Sequence, residues 1–67
     1  MKIVVRSKGQ CLDFTNGYWD RLDYAGNNAL SADNIEAYVD GWNSACDAFP
    51  NADYGKLQAN GFPCLGK

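Results

Sequence analysis

Apolar and polar residues alternate along the first part of the chain, with the period of two that is typical of β-strands. In the segment MKIVVR, Ile3 and Val5 fall on one face, and turn residues follow. In the segment QCLDFT, Leu12 and Phe14 share a face in the same way. Both segments therefore predict β-strands.

A turn signal separates the second alternating segment from a third, YWDRLDY. The Asn-Gly pair at positions 16 and 17 favours a type I′ hairpin turn, because both central residues of that turn need positive φ. In this register Phe14 faces Trp19, which is a favourable aromatic pair. Asp13 faces Asp20, and opposed like charges destabilise a hairpin by up to about 1 kcal/mol. Either the return segment becomes helical after Trp19, or two carboxylates are held together for a purpose.

A helical period begins after the loop AGNNAL. Ser31 is a preferred N-cap residue, and Asp33 follows in the first turn, near the positive end of the helix dipole. Phe49 precedes Pro50 and so avoids helical angles, which predicts a helix over residues 32–48. The large apolar side chains of this segment form one stripe and predict its core face. They are Ile35, Tyr38, Val39, Trp42, Cys46 and Phe49.

These elements predict an α+β fold. A small antiparallel sheet over residues 2–24 packs on the long amphipathic helix, and a short helix near residues 52–59, or a short strand, completes the chain. Gly41 lies inside the long helix at a cost of about 1 kcal/mol relative to alanine, which indicates the close approach of another segment. A chain of 67 residues has room for one domain, 1–67, with one small core.

The acidic residues of the long helix gather on the side opposite its predicted core face. They are Asp33, Glu36, Asp40 and Asp47. The axial rise is roughly 6 Å from Glu36 to Asp40 and roughly 10.5 Å from Asp40 to Asp47. Phosphates along a DNA strand repeat at a comparable interval of several ångströms. A carboxylate row of this pitch can imitate a DNA backbone.

Plain solubility is the other interpretation of this row, because an amphipathic helix must expose polar residues. The charge layout favours a function. All eight acidic residues fall within residues 13–53, with Arg21 as the only base among them, whereas the two flanks carry five lysines and arginines. The helix thus forgoes the i,i+4 ion pairs that commonly stabilise surface helices. A segregated field of this kind indicates a basic partner.

Three aromatic residues, Tyr18, Trp19 and Tyr24, lie close together among further acids, namely Asp13, Asp20 and Asp23. So many rings exceed what a small core can bury, so we expect some of them to anchor a protein interface with an acidic rim. Proteins that bind single-stranded nucleic acid surround their aromatic residues with positive charge. We therefore expect no direct contact with nucleic acid.

Catalytic and metal-binding patterns are missing from the sequence. Histidine is absent, and the hydroxyl residues lie in no nucleophile motif, so we expect neither catalysis nor a cofactor. Asp13 and Asp20 belong to no calcium-binding loop, and we expect no metal site.

Cysteine usage and the N-terminus bear on the compartment. Cys11, Cys46 and Cys64 are odd in number and lack CxxC spacing, which predicts reduced, mostly buried thiols; a Cys46–Cys64 or Cys11–Cys64 bridge is the alternative. The N-terminal apolar run is shorter than a signal peptide or membrane span requires. These features predict the cytoplasm, either of a bacterium or of the host cell of a virus. We expect a monomer rather than an oligomer.

In size, acidity and charge layout the chain resembles small phage anti-defence proteins, above all anti-CRISPR proteins that imitate DNA and occupy the DNA-binding groove of a Cas complex. The resemblance covers the whole chain and involves no shared motif. It implies a non-catalytic inhibitor whose target is a basic nucleic-acid-binding protein. The alternative is a small interaction module, such as an antitoxin-like or regulatory subunit, that docks through the aromatic residues of the hairpin.

Overall fold

The computed structural model describes residues 6–23 and 26–64. They form three α-helices, α1 (Lys8–Leu22), α2 (Ile35–Ala48) and α3 (Tyr54–Ala59), and a 3-10 turn at Ala29–Ser31 before α2. No strand occurs in this part of the chain. The predicted α+β fold is therefore wrong. The two arms of the predicted hairpin are successive turns of α1, and the first predicted strand falls largely outside the described residues.

Helix α1 is specified by a start signal and by a helical apolar period. The Ser7 side chain accepts a hydrogen bond from the Gln10 amide, and the Gln10 side chain accepts one from the Ser7 amide, which is a complete capping box. Cys11, Phe14 and Tyr18 recur at the spacing of one helix face, and all three are buried. The same segment also alternates with a period of two. It forms a helix rather than a strand because the helix buries these three side chains on one face.

The Asn-Gly turn prediction failed because Gly17 serves a helix contact. Gly17 is buried in the middle of α1, and a Cβ there would overlap the Tyr38 carbonyl oxygen and lie 2.9 Å from the Tyr38 carbonyl carbon. Gly41 of α2 is buried in the same way, and a Cβ there would lie 2.7 Å from the Phe14 carbonyl carbon. The two glycines let the helix backbones touch. The close approach predicted at Gly41 is confirmed.

Helices α1 and α2 run in the same sense. Gly9 and Asp13 lie beside Asn34 at the start of α2, Gly17 touches its middle, and Arg21 contacts Cys46 near its end. The chain between the helices therefore returns to the beginning of α1 before α2 starts.

The buried face of α2 differs from the predicted one. It consists mainly of small residues, Ala37, Gly41 and Ala45, together with Tyr38. Of the predicted stripe, Ile35 is 46% exposed and Val39 36% exposed, and Cys46 is exposed as well. Backbones in contact leave no room for large side chains between them, so these residues lie at the flank. Helix α2 ends at Ala48 as predicted and begins three residues later than predicted.

Helix α3 closes the open side of the core. The Asp53 side chain accepts a hydrogen bond from the Lys56 amide at 3.1 Å and caps the helix, and Leu57 is completely buried. The helix ends at Ala59 with Asn60 as its C-cap, and Gly61 has a φ of +98°, a conformation that favours glycine. The predicted short C-terminal helix is confirmed.

Cys11 and Cys64 form a disulfide, so the prediction of reduced thiols is wrong. The bond links the first turns of α1 to the segment after α3. Cys46 remains a free thiol. It is exposed, whereas it was predicted to lie in the core face of the long helix.

Candidate partner-binding surface

The four acids of the predicted row are all exposed. Glu36, Asp40 and Asp47 lie on the side of α2 that faces away from α1, and Asp33 precedes the helix. We call these four residues the acid row. The predicted exposure of these carboxylates is confirmed, because any rotation that buries the small-residue face still leaves them outside.

Two members of the acid row have basic partners from distant parts of the chain. Arg6 approaches Asp40 at 3.5 Å, and Lys56 approaches Asp47 at 3.7 Å. The acidic side chains are 57% and 76% exposed. Exposed pairs of this kind contribute only about 0–1 kcal/mol, so both carboxylates remain accessible to a partner. These ion pairs were not predicted, because both bases belong to segments outside α2.

Asp13 does not join the acid row. Its carboxylate accepts hydrogen bonds from the Asn34 amide at 2.8 Å and from the Asn34 side chain at 3.0 Å. The Asn34 side chain itself makes no cap hydrogen bond at the start of α2. Asp13 thus places a negative charge at the positive end of α2 and fixes that end against α1.

Asp20 also binds within the fold. It accepts hydrogen bonds from the Tyr38 hydroxyl and, at 3.3 Å, from the Asn28 side chain, and the Tyr38 hydroxyl accepts one from the Asn28 amide at 3.0 Å. Burial, and then the neighbouring Asp20 carboxylate, raise the pKa of Tyr38. This trio attaches the loop before α2 to both helices.

A small polar cleft of about 230 Å³ opens beside the Tyr38 trio. It is lined by Asp13, Asn16, Asp20, Asn28, Ser31, Ala32 and Tyr38. Its two carboxylates are already bound by donors of the chain. Within the described ranges, no group of three or more acidic, cysteine or histidine side chains is placed to hold a metal ion.

The predicted aromatic surface is dispersed. Tyr18 is completely buried, and its hydroxyl accepts a hydrogen bond from the Asp53 amide at 2.6 Å, so it belongs to the core. Trp19 is half-buried and lies 6.1 Å from the ring of Tyr54, which is 55% exposed and was not predicted. Tyr24 falls outside the described residues. Asp23 caps the end of α1 and is exposed.

A second exposed surface follows α2 beside the acid row. We call its members, Ile35, Val39, Trp42 and Cys46, the apolar stripe. Trp42 is half-buried and stacks on Tyr38. At the far end, Arg21 donates a hydrogen bond to the Cys46 sulfur at 3.1 Å. The sequence pattern predicted these residues as one stripe, but the prediction that the stripe lies in the core is wrong.

In the part of the chain that the structure describes, no helix has the length and apolarity needed to cross a membrane. Comparison with known proteins gives no match, whether with family models, curated proteins or solved structures.

Proposed function

We propose that this chain is a non-catalytic inhibitor that binds a basic nucleic-acid-binding protein through the acid row and so competes with DNA. The observation that carries the proposal is the exposure of three carboxylates along one side of α2, with a fourth, that of Asp33, just before the helix. In its narrower form, the target is a subunit of a Cas complex and the chain acts like an anti-CRISPR protein.

The dimensions of the acid row support this proposal. From Glu36 to Asp47 the row extends about 16 Å along α2, which is several phosphate intervals of a DNA strand. The helix holds the carboxylates at fixed intervals, so little ordering is needed when a partner binds. Asp13 and Asp20 do not contribute, because their carboxylates are engaged within the fold. The surface is therefore smaller than the sequence predicted.

A docking module that uses aromatic anchors is the alternative, and one observation favours it. The half-buried ring of Trp19 pairs with the exposed ring of Tyr54 between α1 and α3. Binding through such a pair depends mainly on apolar burial and changes little with salt. Binding through the acid row weakens as salt screens the charges. Salt dependence therefore separates the two functions.

The disulfide bears on where the partner is found. Disulfides persist in oxidising compartments and are rare in the cytoplasm. A cytoplasmic target, such as a Cas complex, requires that the chain bind while Cys11 and Cys64 are reduced. Binding that survives a reductant supports the cytoplasmic form of the proposal, and binding that is lost on reduction assigns the partner to an oxidising compartment.

Displacement from DNA tests the proposed function. Proteins of a bacterial lysate are bound to DNA-cellulose, and the chain is added in buffer with and without reductant. We expect the wild-type chain to release a subset of the bound proteins, because the acid row competes with DNA for their basic surfaces. The variant E36Q/D40N/D47N should release none of them.

A matched control keeps the change in net charge constant. The variant N16K/N51K/Q58K also raises the net charge by three, but at exposed positions outside α2. It should release the same proteins as the wild type. The proposal fails if the wild type releases nothing, or if E36Q/D40N/D47N and the control behave alike.

A further inference from the structure

The residues of the apolar stripe recur at intervals of four, three and four, from Ile35 through Val39 and Trp42 to Cys46. This is the spacing at which one helix packs along another. Ile35 and Val39 are 46% and 36% exposed, and Cys46 is exposed. In α1, by contrast, the apolar residues Cys11, Phe14 and Tyr18 recur at helical spacing and are buried. Among the described residues, helix α2 therefore keeps a partly exposed apolar seam along which a second helix can pack.

The apolar stripe and the acid row lie side by side. Their centres are about 100° apart around the axis of α2, and the core direction lies on the other side of the stripe. A helix that covered the stripe would thus have one flank against α1 and the other against Glu36, Asp40 and Asp47. Charge complementarity requires basic residues on that second flank.

We infer that the partner surface recognised by this protein is a basic amphipathic helix, whose apolar side covers the apolar stripe while its lysines and arginines meet the acid row. The inference rests on the proposed function and adds the shape of the partner to it. The row supplies salt-dependent attraction, and the stripe supplies apolar burial that salt does not screen.

A second copy of the chain fits this surface less well. In a symmetric pair the two stripes would face each other and bring two acid rows to one interface. Of the nearby bases, Arg21 already contacts Cys46 and lies over the Phe49 ring at 4.5 Å, and Lys56 lies beside Asp47. Repulsion between the rows therefore opposes self-association.

The test uses two synthetic peptides of about 18 residues, long enough for several helical turns. One places leucines at helical spacing with lysines elsewhere, and the other has the same composition in scrambled order. Affinities are measured by titration calorimetry in about 100 mM and about 500 mM salt. We expect the ordered peptide to bind the wild-type chain about tenfold more tightly than the scrambled one, and to keep this preference at high salt.

Three variants separate the contributions. I35S/V39S should bind the ordered peptide about tenfold more weakly, as expected for loss of apolar anchors. L30S changes a leucine that is 94% exposed outside α2, and it should bind like the wild type. E36Q/D40N/D47N should lower the affinity for both peptides equally and leave the preference for the ordered peptide unchanged. Circular dichroism checks that each variant is folded.

The inference is overturned if the two peptides bind alike, or if I35S/V39S keeps the preference for the ordered peptide. Sedimentation of the wild-type chain as a dimer that I35S/V39S converts to monomer would also overturn it, because a second copy would then cover the stripe. The proposed function fails separately, when DNA-cellulose release does not depend on the acid row. If the chain still prefers the ordered peptide in that case, the inference about the apolar stripe holds without the proposed function.

Discussion

Single glycines set the distance between the two long helices. At Gly17 and Gly41 an added methyl group would overlap backbone atoms of the facing helix, and backbone cannot move aside as the end of a side chain can. We predict that G17A and G41A each lower the free energy of unfolding by about 3 kcal/mol, because the helices must separate. Urea unfolding followed by circular dichroism measures the change.

Gly26 provides the control for this prediction. A Cβ there meets nothing within 4 Å, so G26A should change the free energy of unfolding by less than about 0.5 kcal/mol. Equal effects of G26A and G17A would show that the helix contact does not determine the cost at Gly17.

Tyr38 links the loop before α2 to α1 through one hydroxyl. We predict that Y38F lowers the free energy of unfolding by about 2 kcal/mol, because the Asp20 carboxylate loses a donor and the Asn28 amide loses its acceptor. Urea unfolding near neutral pH measures the loss.

The raised pKa of Tyr38 adds a pH dependence with a definite sign. The folded state holds the hydroxyl proton more tightly than the unfolded state, so this contribution is complete below the ordinary pKa of 10.0 and is lost as the pH rises through the folded value. The advantage of the wild type over Y38F should therefore shrink above about pH 10. An advantage that grows with pH in this range would contradict the assignment.

At the scale of elements, the disulfide joins the beginning of α1 to the segment after α3. It closes a loop with a sequence separation of 53 residues. A loop of this size contributes about 4 kcal/mol in the chain-entropy account, a large share of the stability that a domain this small can have. We predict that C11S/C64S loses about this amount in urea unfolding.

Cys46 supplies the matched control for the disulfide. C46S also removes a thiol, but it should leave the free energy of unfolding within about 0.5 kcal/mol of the wild type, because the residue is exposed. Native alkylation should label one thiol per chain, and reduction should make all three reactive. Native labelling of two or three thiols would contradict the bridge.

The sequence predicted α2 and α3 because their ends carry local signals. Phe49 before Pro50 ends α2, and Asn60 with Gly61 ends α3. Helix α1 was mistaken for a hairpin because its residues satisfy a period of two as well as a helical period. Gly17 is needed because its backbone touches the backbone of Tyr38. The residues around Gly17 do not predict this contact, because Tyr38 is distant along the chain.

The candidate site was predicted only in part for a related reason. Polarity alone places the acid row outside, so the exposure of its four residues was predicted correctly. The core face of α2 was misassigned because hydrophobicity favours large side chains, whereas helices in contact at Gly17 and Gly41 bury small ones. The engagement of Asp13 and Asp20 by Asn34 and Tyr38 likewise depends on packing between segments distant in sequence.

For the whole molecule, we propose that binding is divided between two adjacent surfaces of α2. In this proposal the acid row supplies long-range attraction to a basic partner, and the apolar stripe supplies short-range apolar burial. The backbone contacts at Gly17 and Gly41 hold α2 in place through a different side of the helix. Arg6 and Lys56 reduce the field of the row locally, and salt weakens these exposed pairs as it weakens binding to a partner.

The central claim, that the acid row carries partner binding, is tested most directly by the salt dependence of affinity. The protein that the chain releases most abundantly from DNA-cellulose is purified, and its dissociation constant for the chain is measured from about 50 to about 500 mM salt. We predict that wild-type affinity falls steeply with salt, whereas E36Q/D40N/D47N binds weakly with a shallow salt dependence and N16K/N51K/Q58K resembles the wild type. A wild-type affinity independent of salt, or the same salt slope for E36Q/D40N/D47N as for the wild type, would contradict the central claim.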